Sequence, residues 1–397
     1  MTRHEITPEA GPDGLASGLI ASGVLTGDWV PALKAAPRHL FVPDVIWPGS
    51  GNGVRHSGRL IRQDDPDAWW AIVHSDVPIT TQWDDGAYDG PGTGVLPSSS
   101  TSMPTMVFTM LTALGVEDGD RVLELGTGTG WNAALLTARV GTENVVTIEV
   151  DPDVAHTARE RLASAGFEPV CVVRDGRAGY ADYAPFDRVI ATASVGHVPP
   201  AWITQTRPGG VIVTPWGPFY GGEGIVRLVV GRDGCASGHF VSSSAFMRVR
   251  QERKVEPPRS KYPTEPWPAG AERGSTTLSP DDVGDWIAMF VIGVQVPGVF
   301  LDITDGGTSG DEPYRFWLFD TDITSWATAD YVPGADTFEI AQSGPRHLWT
   351  ELETAWRWWD NQDRPDFDRF GLTVHPDGTE QVWLDDPSHP VPTNPCA

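Results

Sequence analysis

The stretch Val122 to Asn132, reading VLELGTGTGWN, constrains the fold more than any other part of the chain. Apolar, strand-compatible residues run into three glycines at alternating positions, Gly126, Gly128 and Gly130, and then into the helix-forming segment AALLTARV. This order predicts a strand, a tight turn and the start of a helix. Glycine is needed where a turn this sharp uses backbone angles closed to other residues. It is also needed where a ligand must lie directly on the main chain. The stretch therefore predicts a cradle for a nucleotide-type cofactor, and the glycines alone do not choose between a phosphate and another group.

The residues that follow repeat one pattern. Asn144 to Val150 (NVVTIEV) reads as a second buried strand. Glu149 at its end is where doubly wound folds place a carboxylate that accepts from the ribose hydroxyls. A solvated strand end is the ordinary reading of such an acid, and its spacing from the glycines favours the ribose. A helix fits Pro152 to Ala165, then a strand Pro169 to Val173 and the turn Arg174-Asp175-Gly176. Phe186 to Ala193 and Pro208 to Pro215 supply a fourth and a fifth strand, and Leu228 to Val230 an antiparallel closing strand. Strands alternating with helices give an α/β fold, a doubly wound parallel sheet covered on both faces, with ligands at the carboxyl ends of the strands.

Before this core, the first 40 residues read as two short helices, and residues 44–97 as an ordered, Trp-rich insertion (Trp47, Trp69, Trp70, Trp83) with short strands at Trp70 to Val73 and Val77 to Thr81. Next comes the hydroxyl run Pro97 to Pro104 (PSSSTSMP). A loop or helix cap is its ordinary reading. Its place just ahead of the glycine strand offers another, that Ser100, Thr101 and Ser102 point into a site. After the core, residues 232–275 read as a linker or arm rich in Pro, Lys, Arg and Glu. Residues 276–397 read as an α+β domain, with a capped helix at Ser279, strands at Tyr314 to Phe319 and Thr337 to Ala341, an amphipathic helix His347 to Trp359, and a final hairpin Phe370 to Val374 with Gln381 to Leu384. The expected division is thus 1–97, 98–231, 232–275 and 276–397.

Charge and composition remove several classes of function. The formal charge is −25, and from Leu278 onward 22 acidic residues face 5 basic ones, which argues against a nucleic-acid partner. Cys171, Cys235 and Cys396 are widely spaced and lack companions, so neither a disulfide framework nor a metal site is expected. No apolar run reaches the roughly 18 to 20 residues of a membrane span, and the N-terminus lacks a secretory pattern, so a cytoplasmic location is the default expectation. Oligomeric state is not legible.

The signature VLELGTGTGW, the acid at Glu149, the Asp175-Gly176 turn and the strands PFDRVIATAS and PGGVIVTPWG together resemble a class I S-adenosylmethionine-dependent methyltransferase. More narrowly, APRHLFVP, then Ser102-Met103-Pro104, then the glycine strand resembles the protein-L-isoaspartate O-methyltransferase family, over about residues 28 to 231 and interrupted by the insertion. The resemblance implies S-adenosyl-L-methionine as cofactor and S-adenosyl-L-homocysteine as product. It puts Gly126, Gly128 and Gly130 beside the methionine half, with Glu124 counted among the cofactor-binding residues, Glu149 on the ribose, and Asp175 with Gly176 on the adenine. Ser102 matches the family's serine near the transferred methyl and the substrate carboxyl. Thr101 stands where an apolar residue is usual, and neither the insertion nor residues 232–397 have a counterpart in the compact enzyme. A long form of this kind resembles the methyltransferases that accompany ribosomally made peptides such as lanthipeptides and graspetides. That implies an aspartate ester collapsing to an aspartimide on a modified, macrocyclic precursor peptide.

Carboxylate methylation asks mainly for placement. The nucleophile is ionised at neutral pH, since an aspartate has a pKa near ~3.9, so a catalytic His or Cys constellation is not expected. Hydroxyls of Ser100, Thr101 and Ser102 would hold one carboxylate oxygen and leave the other to attack. His197, after the fourth strand, reads as a structural or surface histidine rather than a substrate contact. Most of the nine tryptophans from Trp267 onward belong to a core, and the remainder, with Trp69, Trp70 and Trp83, are expected to line a peptide groove. The leading expectation is an aspartyl O-methyltransferase of a modified peptide. Its alternatives are isoaspartate repair of damaged proteins and a catalytically silent peptide-binding scaffold.

Overall fold

A computed structural model of the protein describes residues 11–49, 58–253, 256–262, 270–304 and 312–393. Trp267 and Cys396, and the arm at 254–255 and 263–269, lie outside the described residues. Helices α1 (Pro12–Ala21) and α2 (Val30–Ala35) come first, followed by β1 (Val45–Pro48), β2 (Leu60–Ile61), α3 (Pro66–Val73), β3 (Ile79–Trp83) and β4 (Pro97–Thr101). The core then runs α4 (Pro104–Leu114), β5 (Val122–Leu125), α5 (Trp131–Val140), β6 (Val145–Glu149), α6 (Pro152–Ser164), β7 (Val170–Val173), β8 (Phe186–Ala191), α7 (Pro200–Thr204), β9 (Thr206–Trp216), β10 (Gly224–Val230) and β11 (Ala236–Ser243). The remainder is β12 (Glu272–Thr276), α8 (Pro280–Gly284), α9 (Trp286–Gln295), β13 (Val299–Thr304), β14 (Tyr314–Asp320), β15 (Trp326–Tyr331), β16 (Phe338–Ser343), α10 (Leu348–Asn361), β17 (Phe370–Val374) and β18 (Glu380–Leu384).

The central sheet has nine strands in the order β18-β17-β11-β10-β9-β8-β5-β6-β7. Strands β5 to β9 are parallel, and the remaining four antiparallel. This is the class I methyltransferase arrangement expected from the alternating pattern. Side chains of successive strand residues point to opposite faces. Leu123, Leu125, Val146 and Ile148 accordingly enter one apolar core, and Val122, Val145, Ile190 and Val213 the other. Helix α5 seals the second face, and the Trp131 indole donates to the Ala36 carbonyl at 2.9 Å, tying α5 to the end of α2. No helix among the described residues is long and apolar enough to cross a membrane.

Four elements differ from the sequence expectation, one being that residues 232–275, read as a linker or arm, contain strand β11 and the start of β12, because β11 has sheet partners on both sides. Residues 70–73, read as strand, belong to helix α3: Asp65 accepts from the Ala68 amide at 2.9 Å and Pro66 occupies the first turn, two start signals that outweigh the apolar run. The hydroxyl run is neither loop nor cap but strand β4, paired antiparallel with β3 through Ile79↔Thr101 and Thr80↔Ser100. The insertion thus forms a four-stranded sheet, β2-β1-β3-β4, with its own small core of Ile46, Trp69, Val73 and Ile79.

The fourth difference concerns the C-terminal end. Strands β12 to β16 make a five-stranded sheet packed by α10, whose Leu348, Leu352, Ala355, Trp356 and Trp359 are buried as its amphipathic pattern requires. The β17–β18 hairpin leaves that sheet and pairs with β11, from Ala236↔Val374 to His239↔Gly371. So β10 does not close the central sheet, and residues 276–397 are not a contiguous separate unit. Gly371 lies under the Trp383 ring, where a Cβ would come within 2.1 Å, which lets the hairpin bury this indole. Core and extension share one apolar cluster, with Phe290 against Trp216, Phe240 and Phe367.

Candidate active site

The glycine turn follows β5 with Gly126, Gly128 and Gly130 at φ of +94°, +53° and +91°. A side chain at any of the three would be strained. A Cβ at Gly128 would also stand 3.3 Å from the Ser100 carbonyl, so β4 approaches the turn as closely as glycine allows. A cleft of about 1050 Å³, open to solvent, lies over this turn, and its lining brings together Ser100, Thr101, Ser102, Gly126, Gly128, Glu149, Asp175 and Gly176. Gly130 is absent from the lining and instead begins α5 in a left-handed conformation packed on Leu162.

Glu149 ends β6, and its carboxylate accepts from the amides of Gly128 (2.9 Å), Val150 (2.9 Å) and Asp151 (3.1 Å). Three donors fill three of the roughly four acceptor positions of a carboxylate, so it is held in orientation with capacity left on Oε2. Asp175 lines the cleft with its carboxylate on the Arg177 side chain and amide, and these bonds hold it below the ordinary carboxylate range. Gly176 packs under Leu125, and its carbonyl accepts from the Trp202 indole at 2.9 Å.

Glu124 departs from expectation. It is fully buried and absent from the cleft lining. Its carboxylate accepts from Thr147 Oγ1 at 2.5 Å and Asn132 Nδ2 at 2.8 Å, and burial pushes its pKa up to about 7 against those bonds. Asn132 does line the cleft. Glu124 thus acts from behind, orienting a residue that reaches the ligand space, because its place on β5 points it into the sheet rather than out of the strand end.

Of the three hydroxyl candidates, Thr101 is 2% exposed and its Oγ1 lies 3.0 Å from that of Thr129. That bond couples β4 to the glycine turn. Ser100 and Ser102 are half-exposed, and among the described residues their hydroxyls make no hydrogen bond. The backbone at this strand end is held by Arg38, which is 1% exposed. Its guanidinium donates to the carbonyls of Ser102 (2.8 Å), Thr101 (3.1 Å) and Val77 (2.9 Å), and burial pushes its pKa down to about 9. In the sequence, Arg38 reads only as part of a helix stop.

Sequence reasoning also missed the strap that crosses the cleft. Residues Met247 to Gln251 line it, anchored where Val249 donates to the Ser194 carbonyl at 2.9 Å. Arg250 reaches Asp151 at 2.8 Å and Asp85 at 3.1 Å, and Arg253 pairs with Asp85 at 2.7 Å. The strap therefore joins the insertion to the core across the cleft mouth. Burial alone would raise the Asp151 pKa, but bonds from Arg250, Gln82 and two backbone amides hold it low. The one signal was the spacing of arginines in RVRQER, a stretch otherwise read as linker.

Among the described residues, the tryptophans expected in a groove line neither this cleft nor the cavity beside it. Trp69, Trp317, Trp326, Trp349 and Trp383 are fully buried, and Trp70 packs on His39 and His74. Small sheets have little core, and their large rings fill it. The indoles that do reach the two spaces are Trp131 and Trp202 in the cleft and Trp216 in the adjoining cavity. His197 is 85% exposed, outside the cleft, and 3.3 Å from Glu380, which raises its pKa.

The site fits S-adenosylmethionine. A glycine turn without Cβ atoms offers bare backbone, Glu149 offers a fixed acceptor, and Ile148, Leu125 and Trp202 with Gly176 make an apolar slot. The comparisons point the same way. The family model described as protein-L-isoaspartate(D-aspartate) O-methyltransferase matches residues 72–253. A protein-L-isoaspartate O-methyltransferase of Methylorubrum extorquens is 33% identical over 260 residues, covering 64% of this chain and 96% of the relative. One from Ignicoccus hospitalis is 35% identical over 204 residues, covering 51% and 79%. A solved protein-L-isoaspartate O-methyltransferase structure shares the fold, with a TM-score of 0.51 at 18% identity, covering 94% of this chain and all of that one. The chain belongs to the protein-L-isoaspartate O-methyltransferase family and is an S-adenosylmethionine-dependent protein carboxyl O-methyltransferase.

Proposed function

We propose that the chain esterifies the carboxylate of an isoaspartyl residue in a protein or peptide. The observation that carries this reading is the half-exposed, unpaired Ser102 hydroxyl at the cleft wall, ahead of the glycine turn, in a chain whose relatives are named for that acceptor. S-adenosylmethionine, when bound, supplies an electrophilic methyl group. The glycine turn and Glu149 orient it, while Ser102 and Ser100 hold one oxygen of the acceptor and leave the other in line. An acceptor with a pKa near ~3.9 is already ionised, so these residues move no proton. Alignment alone is worth on the order of 7 kcal/mol or more of barrier.

A second reading is favoured by one specific observation: the extension beyond residue 253 is built into the same core and sheet as the catalytic unit. In this reading residues 276–397 recognise substrate, and the acceptor is an aspartate side chain of a ribosomally made, modified and macrocyclic peptide, whose ester closes to an aspartimide as the next residue's backbone nitrogen attacks the ester carbonyl and methanol leaves with the amide proton. One experiment separates the two. With labelled cofactor, an isoaspartyl peptide, its aspartyl counterpart and a precursor peptide encoded beside the gene are offered in parallel. Labelling of the isoaspartyl peptide is expected, and label confined to the precursor peptide transfers the assignment to the second reading.

A further inference from the structure

A second cavity opens beside the cofactor cleft, toward the C-terminal extension. It measures about 1690 Å³ with its open mouth included and, like the cleft, is open to solvent. Arg177 and Arg248 line both spaces, so the two adjoin at these side chains. The core contributes Trp216 and Phe219 at the carboxyl end of β9. Val294 and Pro297 come from the end of α9 and the turn after it, and Gln381 and Pro390 from β18 and the chain that follows. More than half of the lining lies beyond residue 253, where the family match ends. This space therefore exists only because the extension is present.

Its chemistry is specific. Aliphatic, aromatic and proline side chains make up eight of the eighteen lining residues and suit the uncharged parts of an extended chain, beside charged groups at Arg177, Arg248, Glu252 and Glu380. Glu380 in the lining is already engaged, accepting from the Trp216 indole at 3.0 Å and the Val198 amide at 2.5 Å. Arg248, at the junction, donates to the Gly217 carbonyl at 2.9 Å. It stands 3.9 Å from Glu252, whose carboxylate instead accepts from the Gly196 amide at 2.6 Å. Among the described residues no carboxylate lies within hydrogen-bonding distance of that guanidinium, so it has capacity for a further oxygen.

We propose that the second cavity binds the residues flanking the methyl-accepting carboxylate of an extended peptide, with Arg248 taking a peptide oxygen where the chain turns from one cavity into the other. This rests on the reading that the protein methylates a peptide carboxylate, whichever of the two acceptors it prefers.

The test uses the full chain and the acceptor that wild type methylates, as a blocked single residue and as a longer peptide around the same residue. Gln381→Trp and Pro390→Trp fill the cavity from two chain segments, and neither touches the cofactor cleft. In wild type the longer peptide is expected to show a KM at least about tenfold lower than the single residue, the equivalent of about 1.4 kcal/mol. Either variant is expected to abolish that advantage while leaving kcat, the single-residue KM and the affinity for S-adenosylhomocysteine unchanged. A longer peptide that binds no better than the single residue, or one whose KM neither variant alters, overturns the proposal. Wild type that methylates neither acceptor overturns the underlying reading together with it, and this first measurement separates the two failures. The S-adenosylhomocysteine affinity shows whether a variant is folded, and the other variant carries the test if one is not.

Discussion

Ser102 and Thr101 are neighbours with separable roles. The Thr101 hydroxyl is bonded to Thr129, whereas that of Ser102 has no partner among the described residues. Ser102→Ala is expected to lower kcat/KM by roughly 10- to 100-fold, the loss of one hydrogen bond to a charged group, with an unchanged melting temperature. Thr101→Val is expected to do the reverse, removing about 1 kcal/mol of stability with a smaller kinetic effect. Denaturant titration and steady-state kinetics on both variants distinguish them. Glu124 gives a pH prediction. Burial raises its carboxyl from 4.5 to about 7, so folding favours the protonated form. Its contribution is full below about 4.5 and lost as pH rises through about 7. In Glu124→Gln the amide oxygen still accepts from Asn132, the amide nitrogen donates to the Thr147 hydroxyl in place of accepting from it, and the side chain does not titrate. The stability of the variant relative to wild type is therefore expected to increase between pH 5 and pH 8, by up to roughly 3 kcal/mol. Urea unfolding at the two pH values measures it, and a pH-independent difference would contradict it. Gly126, Gly128, Glu149 and Asp175 were legible as residues that line the cleft because strand ends and turns place them locally. The burial of Glu124 was not, since a strand pattern does not say which residue of the signature points into the sheet.

At the scale of elements, the insertion and the strap shape the mouth of the cleft. Arg250 joins Asp151, which caps α6, to Asp85 beyond β3, with its side chain 23% exposed. Arg250→Ala is expected to weaken cofactor binding by about 1.5 kcal/mol, the low end of the range for one charged hydrogen bond. Calorimetry at low and high salt checks this, and the wild-type affinity should approach that of the variant as salt rises. The insertion carries its own pH response. His74 is buried with neither ring nitrogen hydrogen-bonded, and burial first, then His39 and Arg38, lower its pKa from 6.5 to about 4. Its stabilising contribution is present above about 6.5 and lost as pH falls toward about 4. His74→Phe keeps the ring contact with Trp70 and removes the titration. It is expected to flatten the fall in melting temperature between pH 7 and pH 5, whereas a parallel fall in both proteins would remove His74 as the cause. Element types were legible where periodicity is long, as in α10. They were misread at α3, where a short apolar run fits either helix or strand, and at β4, where serines pair as a strand because β3 lies alongside.

At the scale of the whole molecule, the extension and the core fold as one body, joined by a shared apolar cluster and by the β11–β17 pairing. A chain ended at residue 253, the limit of the family match, would expose the β11 edge and the ring faces of Trp216 and Phe240. It is expected to aggregate or lose cooperative unfolding, where the full chain shows a single transition. Two independent transitions in the full chain, with a soluble truncated form, would show the extension to be separable. The formal charge of −25 favours solubility and says nothing about topology. By itself the sequence determined the doubly wound sheet, the glycine turn and the acidic residue after the second strand, because each depends on contiguous residues and a fixed period. It also marked the family through the order of those motifs. Tertiary structure alone decided which hydroxyl stays unpaired, that the last hairpin extends the central sheet, and that arginines of a seeming linker cross the cleft. Those outcomes depend on contacts between residues far apart in the chain, such as Arg250 with Asp85 and Gly371 with His239, and no local pattern carries them.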